Sequence, residues 1–208
     1  AVLNAAINPV RVRCREAGET LSVQTEILSG VLDKYRLLPP LLSRQSSIRA
    51  LFVRDAEGNA QALDARRIAE STASMSAAMD VAFFFPDGEL LANARGSLVD
   101  RTEGLPELIE VALQGRLGRA AVANRQGERT YAFSSGVHRE GKFVGVVIVY
   151  VDFYRVEAAW ALSARRIFVT DKTGTVFLAN DAAWRLKNIA DLRETAESDR
   201  YLIDGRFE

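Results

Sequence analysis

The first part of the chain has the apolar spacing of a long helix. Leu21, Leu28 and Tyr35 fall on one face when the chain is wound at 3.6 residues per turn, which predicts a helix over residues 15–38. Proline lacks the backbone donor and restricts the residue before it, so we expect Pro39 and Pro40 to end this helix. The helix is expected to bury this face in a core; the alternative hypothesis is a helix that also carries a dimer seam or a signal.

Further helices are predicted on weaker patterns. Short helical pieces fit residues 41–53, and a second long helix fits residues 62–79. The apolar positions expected to form the buried face of this second helix are Leu63, Ile68, Met75 and Met79. Shorter helices are predicted over residues 105–113, 154–162 and 182–192.

The pattern changes to that of strands after residue 80. Strands are predicted over residues 81–85, 90–92, 120–123, 129–137, 143–153, 166–170 and 175–178. The segment FVGVVIVYVDF at 143–153 is the strongest of these, because valine, isoleucine and aromatic residues fill it as a strand buried on both faces requires. The order of elements predicts an α+β protein.

Two segments of the chain resemble each other. FFFPDGELLAN at 83–93 and VTDKTGTVFLAN at 169–180 each contain an apolar strand, a turn with a glycine, and a second apolar strand. Gly88 and Gly174 occupy the same place in the turn, where glycine accepts a positive φ at no steric cost. The repeat indicates two similar units in tandem, unless it reflects only what all β-hairpins share.

Composition and charge exclude several classes of function. Lysine plus arginine equals aspartate plus glutamate at 27 each, so net charge gives no reason to expect a nucleic-acid partner. Cys14 and His138 are the sole cysteine and histidine, which excludes an internal disulfide and a two-histidine metal site. No phosphate-binding, dinucleotide-binding or hydrolase motif occurs, so we predict neither a cofactor nor catalysis by this chain.

A binding site has more support, because polar residues lie in or beside the predicted strands. Tyr150 and Asp152 share one face of the strongest predicted strand, over 143–153, because side chains alternate along a strand. A polar pair at the end of a buried strand needs partners or lines a cavity. The candidate binding residues are Arg101, Asn124, Arg125, Tyr131, Ser134, Tyr150 and Asp152.

Three segments together resemble one known family. They are KYRLLPPLLSRQSSIRALF, GKFVGVVIVYVDFYRVEAAW and RIFVTDKTGTVFLANDAAWRLKNIADL. In this order they resemble the extracytoplasmic sensor region of the four-carbon dicarboxylate sensor histidine kinases, which has a double Cache (tandem PAS-like, or PDC) fold. The resemblance covers residues 22–192.

The resemblance implies an architecture and a role. It implies a long N-terminal helix with helical segments over 1–79, a membrane-distal PAS-like module over 80–153, a linker helix over 154–164, and a proximal module over 165–208 that continues beyond this chain. Each module would be a mostly antiparallel sheet flanked by helices. The distal module would bind a small organic acid, and the N-terminal helix would form a homodimer. Membrane anchors on both sides would place the region in the periplasm, with the kinase core outside this chain.

The chain departs from the family at the residues that hold the ligand. Pro106 and Leu108 stand where an arginine and a tyrosine are expected, and Tyr150 stands where a lysine is expected. Neither proline nor tyrosine replaces the two-pronged carboxylate binding of arginine. Arg101 or Arg125 would then have to compensate, and we expect no succinate binding in the family manner.

Other functions stay open. The same fold occurs in chemoreceptors and cyclases, so the output is less certain than the module. A second hypothesis is an interaction or dimerisation module without a ligand, its cavity filled by Tyr150 and Tyr131. A third is a cytosolic PAS-like regulator or hydrolase, which no catalytic set supports.

Overall fold

The computed structural model describes residues 9–53, 61–96, 104–123, 129–163, 167–170, 174–185, 187–188 and 190. The α-helices of these ranges are α1 (Pro9–Ser43), α2 (Ser46–Leu51), α3 (Ala62–Ser76), α4 (Leu105–Leu113) and α5 (Tyr154–Ala161). A single 3-10 turn follows at Ala182–Trp184. Within the described residues, no helix has the length and hydrophobicity needed to cross a bilayer.

The strands form two antiparallel sheets. They are β1 (Asp80–Phe84), β2 (Leu90–Asn93), β3 (Gly118–Ala123), β4 (Arg129–Arg139), β5 (Lys142–Tyr150), β6 (Phe168–Thr170) and β7 (Val176–Ala179). The first sheet has five strands in the order β2-β1-β5-β4-β3, and the second pairs β6 with β7. The long N-terminal helix and the antiparallel sheets confirm the predicted α+β class.

Helices cover both faces of the five-stranded sheet. α1 packs on β4 and β5, and α3 packs on β1 and β2. α4 covers the opposite face, against β3, β4 and β5. Because side chains alternate along a strand, β5 sends Val147 and Val149 toward the first layer and Val146, Ile148 and Tyr150 toward α4. This confirms the prediction of a strand buried on both faces.

The expectation that two prolines end the first helix is wrong. α1 continues through Pro39 and Pro40 as far as Ser43. Each proline removes one backbone donor, but Pro39 is buried and Leu42 is only 7% exposed, so packing of the last turns outweighs the lost bonds. The Ser43 hydroxyl donates to the Pro40 carbonyl over 3.2 Å, which satisfies one acceptor at this helix end.

The buried face of α3 also differs from the predicted one. Leu63 and Met75 are 82% and 80% exposed, whereas Ala65, Ala69 and Ala73 are buried. Alanines let the helix axis approach the sheet closely, while Leu63 and Met75 remain in solvent. Ile68 and Met79, the other two predicted positions, are partly buried against the core clusters, as expected. The helix ends at Ser76, and Ala77 adopts a left-handed conformation.

The two segments that resemble each other in sequence share hairpin geometry. Gly88 and Gly174 both have positive φ, at 87° and 82°. Each hairpin has its register irregularity in the same place, between Phe83 and Phe84 in β1 and between Val169 and Thr170 in β6. The register aligns Ala94 with Asn180, since their N–H groups donate to the equivalent carbonyls of Val81 and Ile167.

The predicted helix over 182–192 is wrong over most of its described part. At Ala182–Trp184 the chain forms a 3-10 turn, which begins where the Asp181 carboxylate accepts from the Ala183 N–H over 3.0 Å. The backbone at Arg185 is extended, and Asn188 bridges to Thr175 in antiparallel fashion. Among the described residues of this range, Ala190 alone is α-helical. The other predicted elements lie within a few residues of the observed ones.

Close packing at one glycine fixes how α2 approaches the sheet. A Cβ atom at Gly145 in β5 would lie 2.1 Å from the Phe52 ring and 2.7 Å from the Phe84 carbonyl oxygen. Phe52 also makes edge-to-face contacts with Phe83 and Phe85, at centroid distances of 6.4 and 5.8 Å. The ring therefore occupies the space that any side chain at Gly145 would need.

We expect the change Gly145→Ala to lower the free energy of unfolding by about 1–3 kcal/mol, because Phe52 or β1 must move. Chemical denaturation measures it. Gly30→Ala is the matched control, since a Cβ there meets no atom within 4 Å and alanine is favoured over glycine in a helix by up to about 1 kcal/mol. Equal effects of the two changes would contradict this account of the packing.

Candidate functional site

The candidate site lies on the face of the five-stranded sheet that α4 covers. Tyr150 ends β5 on this face, between Asp80 in β1 and Ala132 in β4, which are its two cross-strand neighbours. The surrounding cluster is apolar, and its buried members besides Tyr150 are Ala82, Phe84, Leu108, Ala112, Ala120, Val122, Ala132, Val146 and Ile148. A polar atom on this face therefore meets little but hydrocarbon and the groups described next.

Ser134 holds α4 on the sheet. Its hydroxyl donates to the Leu108 carbonyl in α4 over 2.7 Å, and the residue is fully buried. The neighbouring strand leaves room for this contact at Gly118, where a Cβ atom would lie 2.1 Å from the Ser134 oxygen. Glycine at position 118 leaves space for the Ser134 hydroxyl, and the bond of this hydroxyl to Leu108 positions α4 on the sheet.

Tyr150 differs from Ser134 because its hydroxyl has no hydrogen-bond partner among the described residues. The residue is 1% exposed, and none of the described residues forms a hydrogen bond with its hydroxyl. Burial raises the pKa of Tyr150 well above its usual value, and the nearby Asp80 carboxylate raises it further. The side chain is a neutral phenol at physiological pH, with a buried donor available for a bond that the described protein does not supply.

Asp80 is the buried carboxylate opposite Tyr150, and sequence reasoning missed it. One oxygen, Oδ1, accepts from the backbone N–H groups of Val81, Ala94 and Arg95 at 2.7, 3.0 and 3.1 Å. The other, Oδ2, accepts from Asn93 Nδ2 at 3.3 Å. Four donors stabilise a charge that burial alone would disfavour, and they tie the end of β2 to the start of β1.

A signal for Asp80 was present in the sequence. An acid immediately before a strongly apolar strand is unusual unless it finds donors, and Asn93 ends the partner strand of the same hairpin. The position reads as a polar turn residue before the strand because its partners, mainly backbone N–H groups, become visible only once the hairpin closes.

The structure brings together some of the predicted binding residues and separates others. Tyr150 and Ser134 share the α4 face. Tyr131 lies with the opposite layer, where its ring stands 5.3 Å from Phe133 and 6.3 Å from Phe177 of β7. The remaining candidates Arg101, Asn124 and Arg125 lie outside the described residues.

Asp152 has a separate role at the start of α5. β5 ends at Tyr150, so the alternation of side chains does not extend to Asp152. Its Oδ1 accepts from the Tyr154 N–H over 2.9 Å, which stabilises the turn into the helix. Asp152 and Tyr150 therefore do not form the polar pair expected from the sequence.

A hollow lies where the large sheet meets α5 and β7. It has a volume of about 270 Å³, and Arg95, Asp152, Glu157 and Leu178 are among its lining residues. Glu157 pairs with Arg185 over 3.2 Å. Burial raises the pKa of Glu157, Arg185 opposes this effect, and Asp152 adds to it. These charges largely neutralise one another.

Hydrogen bonds join α1, α5 and the second hairpin near this hollow. The buried Trp160 in α5 donates its indole N–H to Gln24 of α1 over 2.6 Å. Its carbonyl accepts from Asn180 Nδ2 over 3.0 Å, and Asn180 Oδ1 accepts from the Ile167 N–H over 2.9 Å. Trp160 is thus the point where three parts of the chain meet.

The described residues do not offer a metal site. No group of three histidine, cysteine or acidic side chains with suitable spacing occurs among them. His138, near the end of β4, contacts the Phe143 ring at a centroid distance of 5.6 Å and is exposed. The chemistry of the site is that of hydrogen bonding in a buried, apolar setting.

Comparison with known proteins agrees with this arrangement. The chain is 28% identical over 173 residues to the C4-dicarboxylate transport sensor protein DctB of Pseudomonas aeruginosa, a match that covers 80% of this chain. The DctB protein of Rhizobium meliloti is 23% identical over 181 residues, covering 83% of this chain. The chain is homologous to the DctB sensor proteins. It spans 28% of the length of both relatives, and no family model matches it.

Solved structures show the same fold as this DctB homologue. The sensor domain of the Vibrio cholerae histidine kinase DctB superposes with a TM-score of 0.73 at 23% identity, covering 92% of this chain and 78% of that one. The ligand-binding domain of the Pseudomonas aeruginosa chemoreceptor PctC in complex with GABA gives 0.62 at 18% identity, covering 86% and 81%. The chain therefore shares the fold of these sensor and ligand-binding domains, as the resemblance in sequence implied.

A comparison of two buried tyrosines tests whether the Tyr150 hydroxyl lacks a hydrogen-bond partner in the ligand-free protein. Tyr35 is 3% exposed and donates to the Ala77 carbonyl over 2.5 Å, whereas the Tyr150 hydroxyl has no described partner. We expect Tyr35→Phe to lower the free energy of unfolding by about 1 kcal/mol, because a buried acceptor loses its donor. Tyr150→Phe is expected to leave the ligand-free protein unchanged or slightly more stable. Denaturant titration compares them, and a loss of 1 kcal/mol or more in Tyr150→Phe would show that its hydroxyl is already bonded.

Proposed function

We propose that this chain is the extracytoplasmic, small-molecule-sensing part of a membrane-bound sensor histidine kinase. The observation that carries the proposal is the hydroxyl of buried Tyr150 on the α4 face, which has no hydrogen-bond partner among the described residues, in a fold shared with sensor domains. Burying a polar group without a partner is costly, and a ligand that supplies the partner recovers that cost on binding. Homology to the DctB sensor proteins supports the histidine kinase as output.

The same homology supports a periplasmic location within a larger parent protein. The chain corresponds to 28% of a DctB protein, so the kinase core and the membrane anchors would lie elsewhere in the parent protein. A periplasmic position suits a domain that reports on external metabolites. The chemoreceptor PctC carries GABA in a similar fold, which supports a small polar metabolite as the ligand and keeps a chemoreceptor output as the second candidate.

The binding residues in this proposal are Tyr150 as the hydrogen-bonding group and Ser134 as the residue that positions α4 over it. Arg101, Asn124 and Arg125 stay predicted ligand contacts from the adjoining segments. A ligand held between α4 and the sheet would favour one placement of α4 over others. It can shift signalling only through this difference in affinity between two states.

A ligand screen tests the sensing role. Purified protein is heated with organic acids, amino acids and amides, each at about 100 times a micromolar dissociation constant. Such an excess stabilises a folded protein by about 2.7 kcal/mol, so at least one compound is expected to raise the melting temperature by roughly 5–10 °C. Calorimetric titration then confirms one site per chain. If no compound raises the melting temperature, the domain is an interaction module and not a small-molecule sensor.

The outer face of α1 supports the proposed homodimer. Val23, Ile27, Leu37 and Leu41 are 46–59% exposed although they are large and apolar. Their spacing, with Gly30 and Lys34 between them, alternates four and three residues, which is the repeat of a coiled-coil seam. A second copy of α1 fits this stripe because an identical helix presents the same repeat.

If the seam forms, the protein dimerises, and replacing apolar residues of the α1 stripe by lysine weakens the dimer. Sedimentation velocity of the domain at rising concentration is expected to show a monomer–dimer equilibrium. Ile27→Lys combined with Leu37→Lys is expected to weaken the dimer at least tenfold, since two lysines from each helix would meet in the seam. Leu63→Lys is the control, because Leu63 is also a large exposed apolar residue, at 82%, but lies on α3. A wild-type protein that stays monomeric, or a double variant that dimerises normally, would contradict the seam.

A further inference from the structure

The other polar groups near Tyr150 already form hydrogen bonds within the protein. Ser134 donates to the Leu108 carbonyl, and the buried Thr130 hydroxyl donates to the Val151 carbonyl at the end of the same strand. Asp80 accepts four hydrogen bonds. Tyr150 is therefore the group on this face whose hydrogen bonding, among the described residues, is left to a ligand.

The charge on this face is negative. The Asp80 carboxylate is fully buried and stands directly across from Tyr150 in the antiparallel pairing of β1 and β5. Side chains opposed in this way have Cβ atoms about 4.5–5.5 Å apart. No lysine or arginine is among the buried residues of the described ranges. A carboxylate brought to the Tyr150 hydroxyl would meet the like charge of Asp80, and none of the described residues buries a cation there to offset it.

Asp80 does not attract a cation either. Its oxygens already accept four hydrogen bonds, three of them from backbone N–H groups. An ammonium group would have to displace bonds that tie β2 to β1. The face thus disfavours a second anion without forming a cation site, and a neutral polar group is what it fits.

We propose that the site at the end of β5 selects a ligand that presents an uncharged carbonyl, hydroxyl or amide to the Tyr150 hydroxyl, and that it discriminates against a carboxylate at this place. The inference rests on the proposed sensing function and specifies its ligand. The DctB relatives carry C4-dicarboxylate in their name, so this chain would have a different ligand from the one named for them.

Matched acids and amides test this selection, because each pair differs only in the group offered to Tyr150. The compounds are succinate and succinamate, L-aspartate and L-asparagine, and L-glutamate and L-glutamine, titrated calorimetrically at pH 7.5. In every pair with measurable binding, we expect the amide to bind at least tenfold more tightly than the acid. Tyr150→Phe is expected to weaken the amide about tenfold, as the loss of one neutral hydrogen bond does, and to leave the acid unchanged. Tyr35→Phe is the control and leaves both affinities as they are.

The outcomes separate this inference from the sensing function. An acid that binds as tightly as its amide, or an amide whose affinity survives Tyr150→Phe, overturns the selection while a sensing domain remains. If none of the six compounds binds but the wider screen yields another ligand, the selection is overturned for amides of this size and sensing stands. If the wider screen is empty as well, both proposals fail.

Discussion

Strand β5 lies between β1 and β4 with protein packed against both of its faces, and this constraint fixes the rest of the large sheet. Val147 and Val149 face α1 and its neighbours, whereas Ile148 and Tyr150 face α4. A shift of one residue in register would exchange these two sets and expose the wrong groups to each layer. The position of Tyr150 on the α4 face is therefore a consequence of packing along the whole strand. Mutations far from Tyr150 along β5 would disturb the site for this reason.

The polar pair at the end of this strand differs from its surroundings in an informative way. Asp80 and Tyr150 are both buried in an apolar cluster, yet one is bonded on every side and the other has no described partner. Natural cores bond nearly all their buried polar groups, so a buried hydroxyl without a partner among the described residues calls for an explanation. The contrast between the two residues supports a structural role for Asp80 and the recognition role that we propose for Tyr150.

The strands were predictable because their signals are local. Alternation, β-branched residues and the turn glycines Gly88 and Gly174 mark the hairpins without knowledge of the fold, and the register confirms them. The Asp80 site was not predictable in this way because its partners are backbone groups of a neighbouring strand. Likewise, the continuation of α1 past Pro39 depends on burial against the sheet, and the alanine face of α3 depends on how closely the helix approaches. Each of these outcomes is decided by tertiary packing that no single segment encodes.

The link between β5 and α5 has a mechanical consequence. Only three residues, Val151 to Phe153, separate Tyr150 from the first residue of the helix. Two contacts hold these residues in place. The Val151 N–H donates to the Tyr131 carbonyl over 2.8 Å, and the Phe153 ring centroid lies 6.3 Å from that of Phe177. At its far end the helix is fastened through Trp160 to Gln24 of the long N-terminal helix. A displacement of the end of β5 would therefore move α5, and α5 would pass the displacement to α1 through the bond between Trp160 and Gln24.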